Sequence, residues 1–180
     1  MDKKKLGALV ARAVQFFAAG IVLGLSISTY KRLKYLKPAC TDKKKRCGTL
    51  FDPWTSFLAF DACVGALGLL SASVGIVVSI TSLGEKKALR LLVMVIDLFA
   101  ATFLLAGGVT TAIKYANTLV RACGEWGGWE GDFILPPCSR IEACSAFLFV
   151  GLLATIVALV LVFLRGRSSK RASAPVGHEL

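Results

Sequence analysis

Asp97 lies in the middle of the apolar run Leu91 to Ala106, LLVMVIDLFAATFLLA. A carboxylate at the centre of a membrane helix costs ~2.5 kcal/mol or more unless it is paired or faces a polar interior. Arg12, in the first apolar stretch of the chain, is the base placed to meet it. Arg12 lies six residues beyond Leu6, and Asp97 lies eight beyond Leu89. At ~1.5 Å of rise per residue, both reach on the order of 10 Å inwards from the same boundary. Two chemistries fit these residue types. A guanidinium fork can grip a carboxylate bidentately and lock two helices together. Alternatively, Asp97, Arg12, Gln15 and Asp61 can line a polar path for a proton or ion. The depth match favours the lock. Asp61, seven residues into the second stretch, has Lys114 near the matching end of the third, so a second cross-link is a further expectation.

Other site chemistry is not assembled by this sequence. The single histidine, His178, stands near the C-terminus, and no C-x-x-C spacing occurs among the six cysteines. Zinc ligation therefore lacks its usual spacing, and no metal or cofactor is expected. A Ser/His/Asp or Cys/His constellation has no histidine within the apolar stretches, and no glycine-rich phosphate loop follows a strand. The expectation is a protein that is not an enzyme.

The charges must be positioned by membrane helices. Of the 180 residues, 56% are hydrophobic and only 18% are charged. The mean hydropathy is +0.69. A bilayer core of about 30 Å needs roughly 20 helical residues to cross it. Four windows meet that demand: Leu6–Tyr30, Trp54–Leu83, Leu89–Ala116 and Ile141–Leu164. The first is longer than a signal-peptide core and lacks a small-x-small cleavage site before a polar start, so it is read as a retained helix. The fold expected is all-α, an integral-membrane four-helix antiparallel bundle. Residues 1–5 form a basic tail, 6–164 the membrane domain, and 165–180 a polar, disordered tail. The net charge of +11 comes from basic residues flanking these segments, where they anchor helix ends and contact anionic headgroups. No aromatic-interleaved basic surface points to nucleic acid.

Small residues recur at four-residue spacing. Gly20 and Gly24 precede Ser28 in the first helix, and Ser71, Gly75 and Ser79 mark the second; the third carries the adjacent pair Gly107 and Gly108, which loosens or tightly packs its outer half. The four-residue spacing lets helix backbones approach closely. The link Gly84–Ala88 is so short that helices two and three must form a hairpin. The first loop, read as Lys31–Pro53, carries Lys31, Arg32, Lys34, Lys37, Lys43, Lys44, Lys45 and Arg46, a candidate contact for lipid headgroups or another polyanion. The third loop, read as Asn117–Arg140, carries Trp126, Trp129 and Phe133, suited to the headgroup zone.

Charge does not orient the chain, because each side of the membrane holds ten basic residues. Cysteines do better. Cys40 and Cys47 fall in loop one, and Cys123 and Cys138 in loop three. Disulfides persist outside the cytosol, so both loops are expected to face out and both termini in. The bridges expected are Cys40–Cys47 and Cys123–Cys138, one of three possible pairings. Cys63 and Cys144 read as packing residues.

Several segments resemble the MARVEL superfamily of four-helix membrane proteins. They are Ile96-Asp97-Leu98-Phe99, Thr102 to Gly108 (TFLLAGG), Cys123, Cys138 to Ala143 (CSRIEA), and Ala146 to Phe149 (AFLF). The likeness is strongest to fungal members of the unconventional-export and eisosome-associated type. Arg12 and Asp97 also resemble the Arg/Asp pair of the allied plant Casparian-strip membrane proteins. The specific likeness spans about residues 90–150, and loop one is longer and more basic than the family pattern. The resemblance implies cytosolic termini and a membrane organiser, not a catalyst. It implies a protein that assembles laterally and sorts lipids or cargo in plasma-membrane or vesicle domains. The partners it implies are membrane lipids (anionic headgroups, sterol or sphingolipid), further copies of the chain, or other membrane proteins. Two alternatives stand beside it: a small transporter or channel subunit using Asp97 and Arg12, and an accessory subunit that escorts another membrane protein.

Overall fold

The computed structural model describes residues 3–41, 47–81, 87–114 and 138–172. They form four α-helices: α1 (Lys3–Thr41), α2 (Cys47–Ile80), α3 (Lys87–Lys114) and α4 (Cys138–Ala172). No strand occurs among the described residues. Each helix holds one stretch long and apolar enough to cross a membrane: Leu6–Arg32, Thr55–Ile80, Ala88–Ile113 and Arg140–Leu164. These lie within two residues of the expected windows at most ends. Twenty-five to twenty-seven residues rise about 40 Å, enough to cross a ~30 Å core with tilt.

Two expected boundaries move. Most of the segment read as loop one is helix, since α1 continues through Lys31 to Thr41 and α2 begins at Cys47. Lys, Arg and Leu are strong helix formers, so Lys-Arg-Leu-Lys-Tyr-Leu-Lys carries α1 on past its apolar stretch. Similarly, α4 runs past Leu164 to Ala172, so the first eight residues of the expected disordered tail are helical. The apolar count ends at the membrane, while helix propensity does not depend on it.

The helices close a ring. α1 packs against α2 and α4, and α3 packs against α4 and α2. The α1–α2 interface is the most extensive of the four, and α2–α3 the least, although the shortest link joins that pair. α1 and α3 therefore face each other across a diagonal.

Gly65 and Gly68 of α2 account for the close α1–α2 approach. A Cβ on Gly65 would lie 3.0 Å from the Leu23 backbone nitrogen and 3.1 Å from the Ala19 carbonyl oxygen. A Cβ on Gly68 would lie 3.0 Å from the Ala19 Cβ. Gly20 and Gly24 are expected from their spacing to admit another helix backbone. A Cβ on Gly20 would lie 3.9 Å from the Leu69 side chain, and a Cβ on Gly24 would meet nothing within 4 Å. On α3, a Cβ on Gly108 would press on the Phe149 ring from 3.2 Å, so this glycine lets α4 in.

The central layer takes Val22 from α1, Val64 from α2, Leu104 from α3, and Leu148 with Cys144 from α4. Outside, the bundle presents large apolar side chains such as Phe17, Leu70, Leu98 and Leu153. In lipid such exposure costs nothing, and helix association rests on packing and interhelical hydrogen bonds.

Candidate functional site

Arg12 of α1 and Asp97 of α3 meet across the diagonal of the ring. Arg12 Nη1 donates to Asp97 Oδ1 at 2.5 Å, and Nη2 donates to Oδ2. The fork-to-carboxylate pairing is bidentate, the geometry that favours arginine over lysine. Arg12 is 1% exposed and Asp97 is 0% exposed. Two neutral residues complete the site. Arg12 Nη1 also donates to Gln15 Oε1 at 3.0 Å. Gln15 Nε2 donates to Ser71 Oγ at 3.4 Å, and the Ser71 hydroxyl donates to Asp97 Oδ1 at 2.6 Å. Donors and acceptors thus run in a closed circuit through α1, α2 and α3, and Asp97 accepts three hydrogen bonds. A buried pair is tolerable only when its remaining lone pairs and protons are met in this way.

Gly75 makes room for the circuit. A Cβ there would overlap the Nε and Cζ atoms of Arg12. The expected small-residue face of α2 therefore has unlike members. Ser71 is a hydrogen-bond donor to the carboxylate, Gly75 is the floor of the guanidinium, and Ser79 turns back to the Gly75 carbonyl at 2.7 Å.

A second polar set lies towards the opposite end of the bundle. Asp61 of α2 is 1% exposed. Its Oδ2 faces the Thr111 hydroxyl at 3.2 Å, and its Oδ1 has no hydrogen-bond partner. Gly107 sits over it, since a Cβ there would lie 3.4 Å from Oδ1. Asp61 and Thr111 line a small cavity together with Ser26 and Thr29 of α1 and Arg140 and Cys144 of α4. The side chain of Lys114, the partner expected for Asp61, lies outside the described residues. So do the side chains of Cys40, Cys47, Cys123 and Cys138, and those of Lys37, Lys43, Lys44, Lys45 and Arg46. Lys31, Arg32 and Lys34 are exposed where α1 reaches and passes the end of its apolar stretch. Cys63 is an exposed free thiol; Cys144 is a buried one, 3.7 Å from Ser26 Oγ.

The two polar sets are separated by the layer of Val22, Val64, Leu104 and Leu148. From Arg12 to Ser26 along α1 is fourteen residues, or roughly 20 Å. Among the described residues, no group of three or more His, Cys, Asp or Glu could hold a metal ion.

Four packed membrane-length helices, bolted inside by a buried ion pair and apolar outside, define an integral membrane protein of the multi-pass, all-α class. The model of the MARVEL family, the membrane-associating domain, matches residues 5–161. The chain belongs to that family. Comparison with curated proteins and with solved structures gave no match.

Proposed function

We propose that this protein is a non-enzymatic organiser of plasma-membrane or vesicle domains, working by lateral assembly and by sorting lipids or cargo. The observation that supports this best is the apolar layer of Val22, Val64, Leu104 and Leu148 between the two polar sets. A transport path would have to break that layer and open the Arg12–Asp97 circuit. The pair instead has the geometry of a fastener for a rigid unit, whose working surface is its outside. In this reading both termini are cytosolic. Loops one and three face out and carry the Cys40–Cys47 and Cys123–Cys138 bridges. The exposed Lys31, Arg32 and Lys34 meet phosphate-bearing headgroups where α1 leaves the bilayer.

Gly24 provides the test. It is exposed, and a side chain placed there meets nothing in its own protomer. A neighbouring helix could approach closely at this point. Gly24→Leu is expected to leave the folded protomer intact and to release it from assemblies, raising its diffusion coefficient in single-particle tracking in the native membrane. Wild-type protein that moves as freely diffusing single protomers would overturn the proposal. For the orientation, maleimide labelling of loop cysteines on intact cells should appear only after reduction; labelling without reduction would reverse it.

A further inference from the structure

We propose that Asp61 is a proton-binding site: it stands as the neutral carboxylic acid, donates its proton to Thr111, and makes the contact of α2 with α3 depend on that proton. The two buried acids of the bundle have opposite surroundings. Asp97 accepts three hydrogen bonds, two of them from a guanidinium. Asp61 is as deeply enclosed, 1% exposed and six residues inside the apolar stretch that begins at Thr55. Yet its Oδ1, which lies against Gly107, has no hydrogen-bond partner. Its Oδ2 faces the Thr111 hydroxyl at 3.2 Å. Thr111 has a single proton, and the Gly107 carbonyl takes it at 2.7 Å. A hydroxyl donates once and accepts twice, so what Thr111 turns towards Asp61 is a lone pair. Against a carboxylate oxygen that lone pair is repulsive. Against a carboxylic acid O–H it completes a chain from Asp61 through Thr111 to the Gly107 carbonyl. The one atom left unmet is then a neutral carbonyl oxygen, far less costly in an apolar interior than a charge.

Among the described residues no charge is paired with Asp61, since the only ion pair is Arg12 with Asp97. From α1, Ser26 and Thr29 reach the small cavity beside Asp61, and neither titrates. From α4 come Cys144, a buried thiol, and Arg140, whose Nη1 donates to Ser28 Oγ at 3.3 Å in an exposed setting. On α2 itself, Cys63 is exposed. From α3 comes Lys114, whose side chain lies outside the described residues. Asp61 and Thr111 join α2 to α3 across the least extensive of the four interfaces. Loss of the proton would place an unpaired charge inside that contact, which must open to admit water or a counter-charge.

The test uses the full chain in nanodiscs. Infrared spectra at neutral pH are expected to show the carbonyl stretch of a protonated carboxyl, lost in Asp61→Asn. Thr111→Val removes the acceptor and should shift that band without abolishing it, a readout that does not need Asp61→Asn to fold. Asparagine is a neutral donor of nearly the same shape, so the unfolding midpoint of Asp61→Asn at neutral pH should stay within about 2 °C of wild type. Alkali should separate the two proteins. An exposed aspartate gives up its proton near pH ~4. Above that pH the folded chain holds a proton that the unfolded chain lacks, so rising pH favours unfolding. Between about pH 7 and about pH 9 the wild-type midpoint should fall by roughly 3–6 °C more than that of Asp61→Asn. A wild-type spectrum without the band would overturn the proposal. So would a band of equal intensity in Asp61→Asn, a band that Thr111→Val leaves in place, or equal alkaline losses in the two proteins. A missing band together with a loss of stability in Lys114→Gln would make Asp61 the ionised partner of Lys114 instead.

Discussion

Replacing Arg12 by leucine is expected to destabilise the bundle by about 3–5 kcal/mol, the usual cost of removing one member of a buried pair. Asp97 would keep only the Ser71 hydroxyl as a donor and would remain 0% exposed, in surroundings that do not solvate a charge. Asp97→Leu should cost a similar amount, because the guanidinium would be left with Gln15 alone. The double replacement, Arg12→Leu with Asp97→Leu, should recover most of the loss, since an apolar pair has no desolvation to offset. Arg12→Lys should fall between, because an ammonium cannot span both carboxylate oxygens as the guanidinium fork does. Stability in nanodiscs, measured on the four variants, gives the coupling directly. An Arg12→Leu protein as stable as wild type would mean that the pair does not hold the bundle. Single and double variants that simply add would mean that the two charges act independently.

The sequence made this pair legible for a physical reason. Charges are so costly in hydrocarbon that two of them at matched depth point at each other. The four spans were legible for the same reason, since bilayer thickness sets their length. The neutral members of the circuit were harder to read. Gln15 is one turn from Arg12, on the same helix face, yet it could be placed only as lining for a path. Ser71 carried only a small-residue signal, and its hydroxyl gained meaning from the carboxylate opposite. The tight α1–α2 contact fell to Gly65 and Gly68, which are three apart and outside the four-residue pattern sought. Gly24 fits that pattern and faces away from the protomer. Spacing shows that a backbone can be approached; which neighbour approaches depends on helix rotation, and spacing does not fix that. The ring order was similarly hidden. The short link makes α2 and α3 sequential partners, yet theirs is the smallest of the four interfaces.

Gly75→Ala should be almost as damaging as loss of Arg12, although it adds one methyl group and removes no charge. The new Cβ would occupy the space of the Arg12 Nε and Cζ atoms. The guanidinium cannot yield cheaply, because Nη1 and Nη2 are both held by Asp97. Either the fork leaves the carboxylate or α2 leaves α1. The expected loss is roughly 2–4 kcal/mol, the range in which a buried charge network is broken. The decisive observation is non-additivity. In an Arg12→Leu background the obstacle is gone, and Gly75→Ala should cost less than about 1 kcal/mol, an interaction energy well beyond that of independent sites. Gly65→Ala provides the contrast. Its Cβ meets the backbone of Leu23 and Ala19, which persists whatever side chain stands at position 12. Its cost should therefore be the same in both backgrounds. If Gly75→Ala also cost the same in both, Gly75 would be a backbone-packing glycine like Gly65, and the seating of the guanidinium would owe nothing to it.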